Sequence, residues 1–227
     1  MSKQEVKKES RIKTKKKSWF KIVAPAVFGK RELGETYVTS AESAMGRMLK
    51  INLKDISGNV KDQNAYIHFR VVNAVGTTLE TTALGYELTP SSLKRMVRKN
   101  IDRLDEYTAL ATKDSRKVIV KSIFITVGHT QRSIHSKLRS QLKRLLSEEA
   151  RKGDFDSFLA SVASYRIQSM VKKRLSKIYP LRDFAIRMLA LREHEQMIPE
   201  ELQPQEAEPA LGEDAGIEES EEAVPTE

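Results

Sequence analysis

The sequence predicts an α+β fold: an antiparallel β-barrel-like body with flanking amphipathic helices, set between a disordered basic N-terminal arm and a disordered acidic C-terminal tail. Three observations carry this reading. Apolar residues alternate with polar ones in the earlier part of the chain, as on half-buried strands, and recur every three or four residues in the later part, as on helices. Charge is segregated along the chain rather than mixed. Thirteen of the 31 Asp and Glu residues fall in 193–227, where there is no Lys or Arg, so residues 1–192 hold 40 basic and 18 acidic side chains and carry +22.

The elements follow in order. Residues 1–17 contain eight Lys or Arg, and only Met1, Val6 and Ile12 are apolar. Such a segment buries too little surface to offset its ordering entropy, so it is expected to be disordered until it meets a partner. The folded body is expected over 18–192, β-rich over 18–128. Leu49, Ile51 and Leu53 alternate with Lys50, Asn52 and Lys54. "NAYIHFRVVNAVG" places Ile67, Phe69 and Val71 on one face, and "TTLETTALGYEL" follows the turn signal Gly76, which predicts a hairpin. "KVIVKSIFITVG" reads as a further strand, with Ile119, Ile123, Ile125 and Val127 on a shared face.

One helix interrupts the strands. Thr89 is an N-cap candidate with Pro90 at the first helical position, and Leu93, Val97, Ile101 and Leu104 recur at helical spacing to about residue 105. Residues 131–192 are expected to be helical. Ile134, Leu138, Leu142 and Leu145 mark one amphipathic helix ending near Gly153. A second is capped by Asp154 or Asp156, follows Phe158, Val162, Met170 and Leu175, and stops before Pro180. Residues 181–192 are compatible with a last helix or strand. Residues 193–227, rich in Glu, Pro and Ala, read as the disordered tail.

Composition narrows the function. The 227 residues are 39% hydrophobic, enough for one domain with appendages. There is no cysteine, which removes disulfides and cysteine-ligated metal centres. No apolar run approaches the ~18 residues of a membrane span, and the lysine-rich start lacks a secretory apolar stretch; a soluble cytoplasmic protein without membrane partners is expected. The four histidines include His129 and His135, six apart rather than at the i, i+4 spacing that aims two imidazoles at one metal. No phosphate-binding glycine loop or nucleophile-elbow motif occurs. No enzyme, cofactor or metal site is therefore expected.

A domain at +22 repels itself, and a polyanion is the usual remedy. The candidate contacts are Lys15, Lys16, Lys17 and Lys21 beside Trp19 and Phe20; Lys94, Arg95, Arg98, Lys99 and Arg103 on the helix from Pro90; Arg132, Lys137, Arg139, Lys143 and Arg144 on the next; and Lys172, Lys173 and Arg174 at a helix C-terminus. Neither 94–101 nor 132–144 contains an acid, whereas a merely solvated face expects mixed signs and i, i+4 Glu–Lys pairs. For 172–174 the helix dipole alone also favours cations. Trp19 and Phe20 read either as stackers on unpaired bases or as an anchor of the arm on the protein's own core.

The segments "KKKSWFKIVAPAVFG", "LGETYVTSAESAMGRMLKINLKDISGN", "YELTPSSLKRMVRKNIDRLDEY", "TKDSRKVIVKSIFIT" and "KKRLSKIYPLRDFAIRML", in that order, resemble the archaeal and eukaryotic small-subunit ribosomal protein three-A family, in an archaeal-like form. The likeness covers about residues 15–192. It implies a β-barrel-like body with helices, a seat on the platform of the small ribosomal subunit near the messenger exit, and a structural role. The implied partners are small-subunit rRNA and neighbouring small-subunit proteins, with messenger RNA or initiation factors as further contacts. Two other functions compete: a free-standing RNA chaperone or architectural protein with the acidic tail as an internal decoy, and an RNA-processing enzyme. The absence of a catalytic constellation speaks against the last.

Overall fold

The computed structural model describes residues 16–192. The arm up to Lys15 and the tail over 193–227 lie outside the described residues, and with them the expectations of disorder and of a decoy role. The elements run β1 (Ser18–Val23), β2 (Glu32–Val38), β3 (Met48–Asn52), α1 (Leu53–Ser57), β4 (Ala65–Val75), β5 (Thr78–Leu88), α2 (Pro90–Met96), β6 (Arg103–Ala111), β7 (Lys117–Thr126), α3 (Arg132–Lys152), α4 (Phe155–Ala163), α5 (Arg166–Leu175) and β8 (Leu181–Leu191). Short 3-10 turns join β1 to β2, β2 to β3 and α1 to β4.

The strands form one eight-stranded sheet, ordered β2-β1-β5-β8-β7-β6, with β4 also pairing β5 and β3 pairing β4. The α+β class stands, but the sheet does not close into a barrel. β5 is the branch point: β4 runs antiparallel along its length, while β1 lies parallel against Thr78–Glu80 and β8 antiparallel against Gly85–Glu87. β2, β3 and β6 each have one strand neighbour among the described residues, so the outer strands never meet.

The expected β4–β5 hairpin turns at Gly76, whose φ of 61° suits a residue without Cβ. β7 starts at Lys117 as expected but ends at Thr126, leaving Val127 outside the strand and exposed rather than on the shared inward face, and most of its residues are buried on both faces, with β6 and β8 paired on its two edges. Leu53 opens α1 instead of ending β3.

Three helical expectations are corrected. α2 begins with Pro90 after Thr89, but stops at Met96. Val97 is extended and Asn100 is left-handed at φ 61°, and the chain then enters β6 with Leu104, Thr108 and Leu110 inward. A period of two beginning at Leu104 thus overrides the apparent helical spacing. The helix from Asp154 is two helices, broken at Ser164–Tyr165, where Tyr165 takes φ 58°. Residues 181–191 form a strand, β8, buried between β5 and β7.

The main core lies where α3, α4 and α5 cover the sheet. Leu138, Leu142 and Leu146 meet Phe155, Leu159, Val171, Phe124, Ile186 and Leu189, all fully enclosed. A smaller cluster, with Phe20, Ile22, Val38, Val71 and Leu79, fills the β1–β2 end. At the β5–β8 crossing, a Cβ on Gly85 would lie 2.3 Å from the Leu189 carbonyl oxygen, and backbone cannot retreat as a flexible side chain can. Gly85→Ala should cost about 1–3 kcal/mol, as overpacked cores do, and lower the melting temperature by several degrees. Gly128→Ala, whose new methyl would meet only the Tyr179 hydroxyl at 3.7 Å, should melt like the parent. Paired thermal denaturation curves check both.

Candidate nucleic-acid interface

α3 builds the longest basic surface. Its apolar positions turn Leu138, Leu142, Leu145 and Leu146 onto the core, and this phase leaves Arg132, Lys137, Arg139, Lys143 and Arg144 exposed. The cations differ in freedom. Glu106 of β6, with a side chain only 9% exposed, holds Arg139 at 3.3 Å and Lys143 at 2.9 Å. Glu148 holds Arg144 at 3.2 Å one turn along and Arg174 of α5 at 3.8 Å. Arg132 and Lys137 have no ion pair among the described residues.

Elsewhere the expected residues divide the same way. Lys94 and Arg95 lie on α2, whereas Arg98 and Lys99 lie in the turn after it, so the i, i+4 stripe does not exist; all four remain exposed. Arg95 donates to the Asn64 side-chain oxygen at 3.0 Å. Arg103 is on strand β6, not on a helix, and grips Asp105 with two nitrogens. Lys21 pairs with Glu32 at 3.0 Å, which raises its pKa. Lys172 reaches Asp183 at 3.5 Å. Lys173 is exposed at the end of α5, and Lys16 and Lys17 precede β1. Exposed pairs of this kind are worth ~0–1 kcal/mol, so a phosphate can replace the acid at small cost. Glu106, nearly enclosed, is the firmer partner.

Trp19 and Phe20 part company. Alternation along β1 turns Phe20 into the small core, 8% exposed, and leaves Trp19 outside, 62% exposed. Phe20 is thus an anchor, and its ring is not available for stacking. Trp19 lies directly across from Tyr37 of β2, with ring centroids 4.9 Å apart.

Sequence reasoning misses several participants. Glu106 stands more than 30 residues before the cations it holds, and no local pattern announces that contact. Arg166, which the sequence reading passes over, joins Lys173, Arg174 and Lys177 in lining one groove of ≈ 720 Å³ along α5, with Tyr165 and Met170. The seven-residue interval from Arg166 to Lys173 is the signal, masked by reading α4 and α5 as one helix. Asp102, which the sequence places inside a helix, organises the approach to α3. Its carboxylate meets His129 Nδ1 at 2.7 Å and His135 Nε2 at 3.1 Å, and accepts from the Thr130 N–H at 2.7 Å and hydroxyl at 3.0 Å. The His129 and Thr130 hydrogen bonds hold its carboxyl well below the usual carboxylate range. These histidines thus have a bracing partner, and among the described residues no acid–histidine group is arranged to hold a metal. No helix there is long and apolar enough to cross a membrane.

Cation-rich faces on α3, α5 and the α2 turn, some of their cations held by Glu106 and Glu148, are carried by a mixed α+β body and define a strongly basic protein. The chain belongs to the Ribosomal S3Ae family, whose model matches residues 5–193. It is similar to the small ribosomal subunit protein eS1 of Sulfurisphaera tokodaii, at 31% identity over 79% of this chain and 93% of that one. It is also similar to the eS1 proteins of Methanopyrus kandleri, at 30% identity over 83% and 92%, and Methanobrevibacter smithii, at 29% over 80% and 94%.

A second charged knot lies across β3, β4 and β5. Glu87 Oε2 meets Lys50 Nζ at 2.6 Å and His68 Nε2 at 3.0 Å. The His68 hydrogen bond, joined by Lys50 and opposed by burial, lowers the Glu87 carboxyl from 4.5 to about 2. A carboxylate whose pKa falls on folding stabilises the fold above its unfolded pKa, and that contribution is lost as pH falls through the folded one. Glu87→Gln should therefore be less stable at neutral pH and lose less stability between about pH 4.5 and 2. Denaturant unfolding at several pH values measures the flattening.

Proposed function

We propose that this chain is a structural, non-catalytic constituent of the small ribosomal subunit that binds rRNA through its exposed cations. The observation that carries this reading is the family match over 5–193, together with relatives named small ribosomal subunit protein eS1. The surface supports it: Lys94, Arg98, Lys99, Arg132, Lys137 and Lys173 are exposed and without ion pairs among the described residues. Dispersed lysines and arginines of this kind position a protein on phosphates and read no base sequence. The finer reading places the chain on the subunit platform near the messenger exit, ribosome-bound in the cytoplasm, beside neighbouring proteins, with messenger RNA or initiation factors within reach. It supports subunit assembly by neutralising backbone charge where rRNA segments converge.

The test is co-sedimentation. The tagged chain should travel with small subunits through a high-salt gradient, and a chain that washes off is instead a free RNA-binding factor. In purified form, changing Lys94, Arg95, Arg98 and Lys99 together to Gln should leave the fold intact and weaken rRNA binding uniformly. The log-affinity against log-salt slope should fall by roughly 0.7–0.9 for each phosphate no longer neutralised. An unchanged slope would show that this turn faces solvent or a protein neighbour.

A further inference from the structure

We propose that the outer face of β1 and β2 is a stacking platform for an unpaired RNA base, built by Trp19 and Tyr37 and rimmed by Lys16, Lys17 and Lys21. The inference deepens the rRNA-binding reading and rests on it. Trp19 and Tyr37 face each other across an antiparallel ladder, so both rings stand on the same side of the sheet. Their planes are tilted by 37° with centroids 4.9 Å apart, which leaves much of each surface open: Trp19 is 62% exposed and Tyr37 49%. The hydrophobic effect does not explain two large rings left in water while Phe20 and Ile22, on the other face of the same strand, are buried.

Charge selects the occupant. The Lys17 ammonium lies 5.7 Å from the Tyr37 ring centroid, Lys16 is exposed next to it in the chain, Lys21 is exposed two residues along β1 from Trp19 in an exposed pair with Glu32, and in sequence Lys13 and Lys15 precede them. Apolar area bordered by cations suits a nucleotide, whose base offers a π face and whose phosphate offers an anion. In a duplex those faces are covered by neighbouring base pairs, so the platform requires a single strand, a bulge or a splayed loop. β2 is the last strand on this side of the sheet, with no further strand beyond it among the described residues.

Trp19 is the only tryptophan, so the full-length chain carries one tryptophan fluorophore, at this site. It is titrated with a nine-nucleotide adenosine RNA, an abasic chain of the same length, and a blunt RNA duplex, while end-label anisotropy records binding of each. The platform requires saturable quenching by the single strand and little by the other two, although both bind. Tyr37→Ala and Trp19→Ala should weaken the single strand by roughly tenfold or more, leave duplex affinity unchanged, and melt like the parent; Trp19→Phe should retain part of the affinity. Equal quenching by the abasic chain, or unchanged single-strand affinity in both alanine variants, overturns the platform while leaving phosphate binding in place. Failure of all three nucleic acids to bind overturns the rRNA-binding reading itself. If RNA affinity is intact in Trp19→Ala but incorporation into subunits is lost, the rings dock a protein, and the proposal is wrong.

Discussion

The sheet depends on β5 having three partners. It pairs with β4 on one side and divides its other side between β1 and β8. The division works because β5 offers Leu79 to the small core and Ala83, Tyr86 and Leu88 to the large one. Leu33 and Leu49 pack against both clusters, so the two are joined along this line rather than through a loop. Gly85 is the point of closest approach, where the absence of a side chain lets β8 come within hydrogen-bonding reach. Helix placement follows from it: β8 leads from α5 back into the middle of the sheet, which brings α3, α4 and α5 over one face.

With 18 acids against 40 bases, residues 1–192 have few negative charges to deploy, and their placement is informative. Glu106 clips α3 to β6, Glu148 ties α3 to α5, Asp102 fixes the turn into α3, and Glu87 ties β3, β4 and β5 together. Each joins elements distant in sequence. The acids therefore brace the fold, and most of the surplus positive charge remains on the outside.

How much of this is legible in the sequence follows from which interactions are local. The β4–β5 hairpin, β7 and α3 are readable because turn glycine, alternation and helical spacing are local signals. The start of β6 reads as the end of a helix because Leu93, Val97, Ile101 and Leu104 mimic a helical stripe, which the left-handed Asn100 and the alternation from Leu104 onward break. β8 is ambiguous because a strand buried on both faces loses its period of two. The barrel expectation fails on pairing: nothing local tells that β5 splits its outer side between two strands. Among the candidate contacts the sequence marks most of the cations as exposed groups, with Lys172 half-buried, and does not settle that Phe20 turns inward while Trp19 does not. Which cations are clipped by Glu106 or Asp183, and that Tyr37 faces Trp19, depend on long-range register.

β8 is the last described strand in the chain, yet it lies between strands made much earlier. The sheet joins β6 and β7 to the β1–β5 portion only through it. A nascent chain emerging at ~5–20 residues per second completes β7 at Thr126 roughly 65 residues before Leu191 appears. Until then the segments that β8 pairs with, Gly85–Glu87 on one side and Val118–Thr126 on the other, have no β8 to pair with. Open edges of that length invite pairing with other chains. Closure of the sheet therefore waits on the strand that is synthesised last among those described.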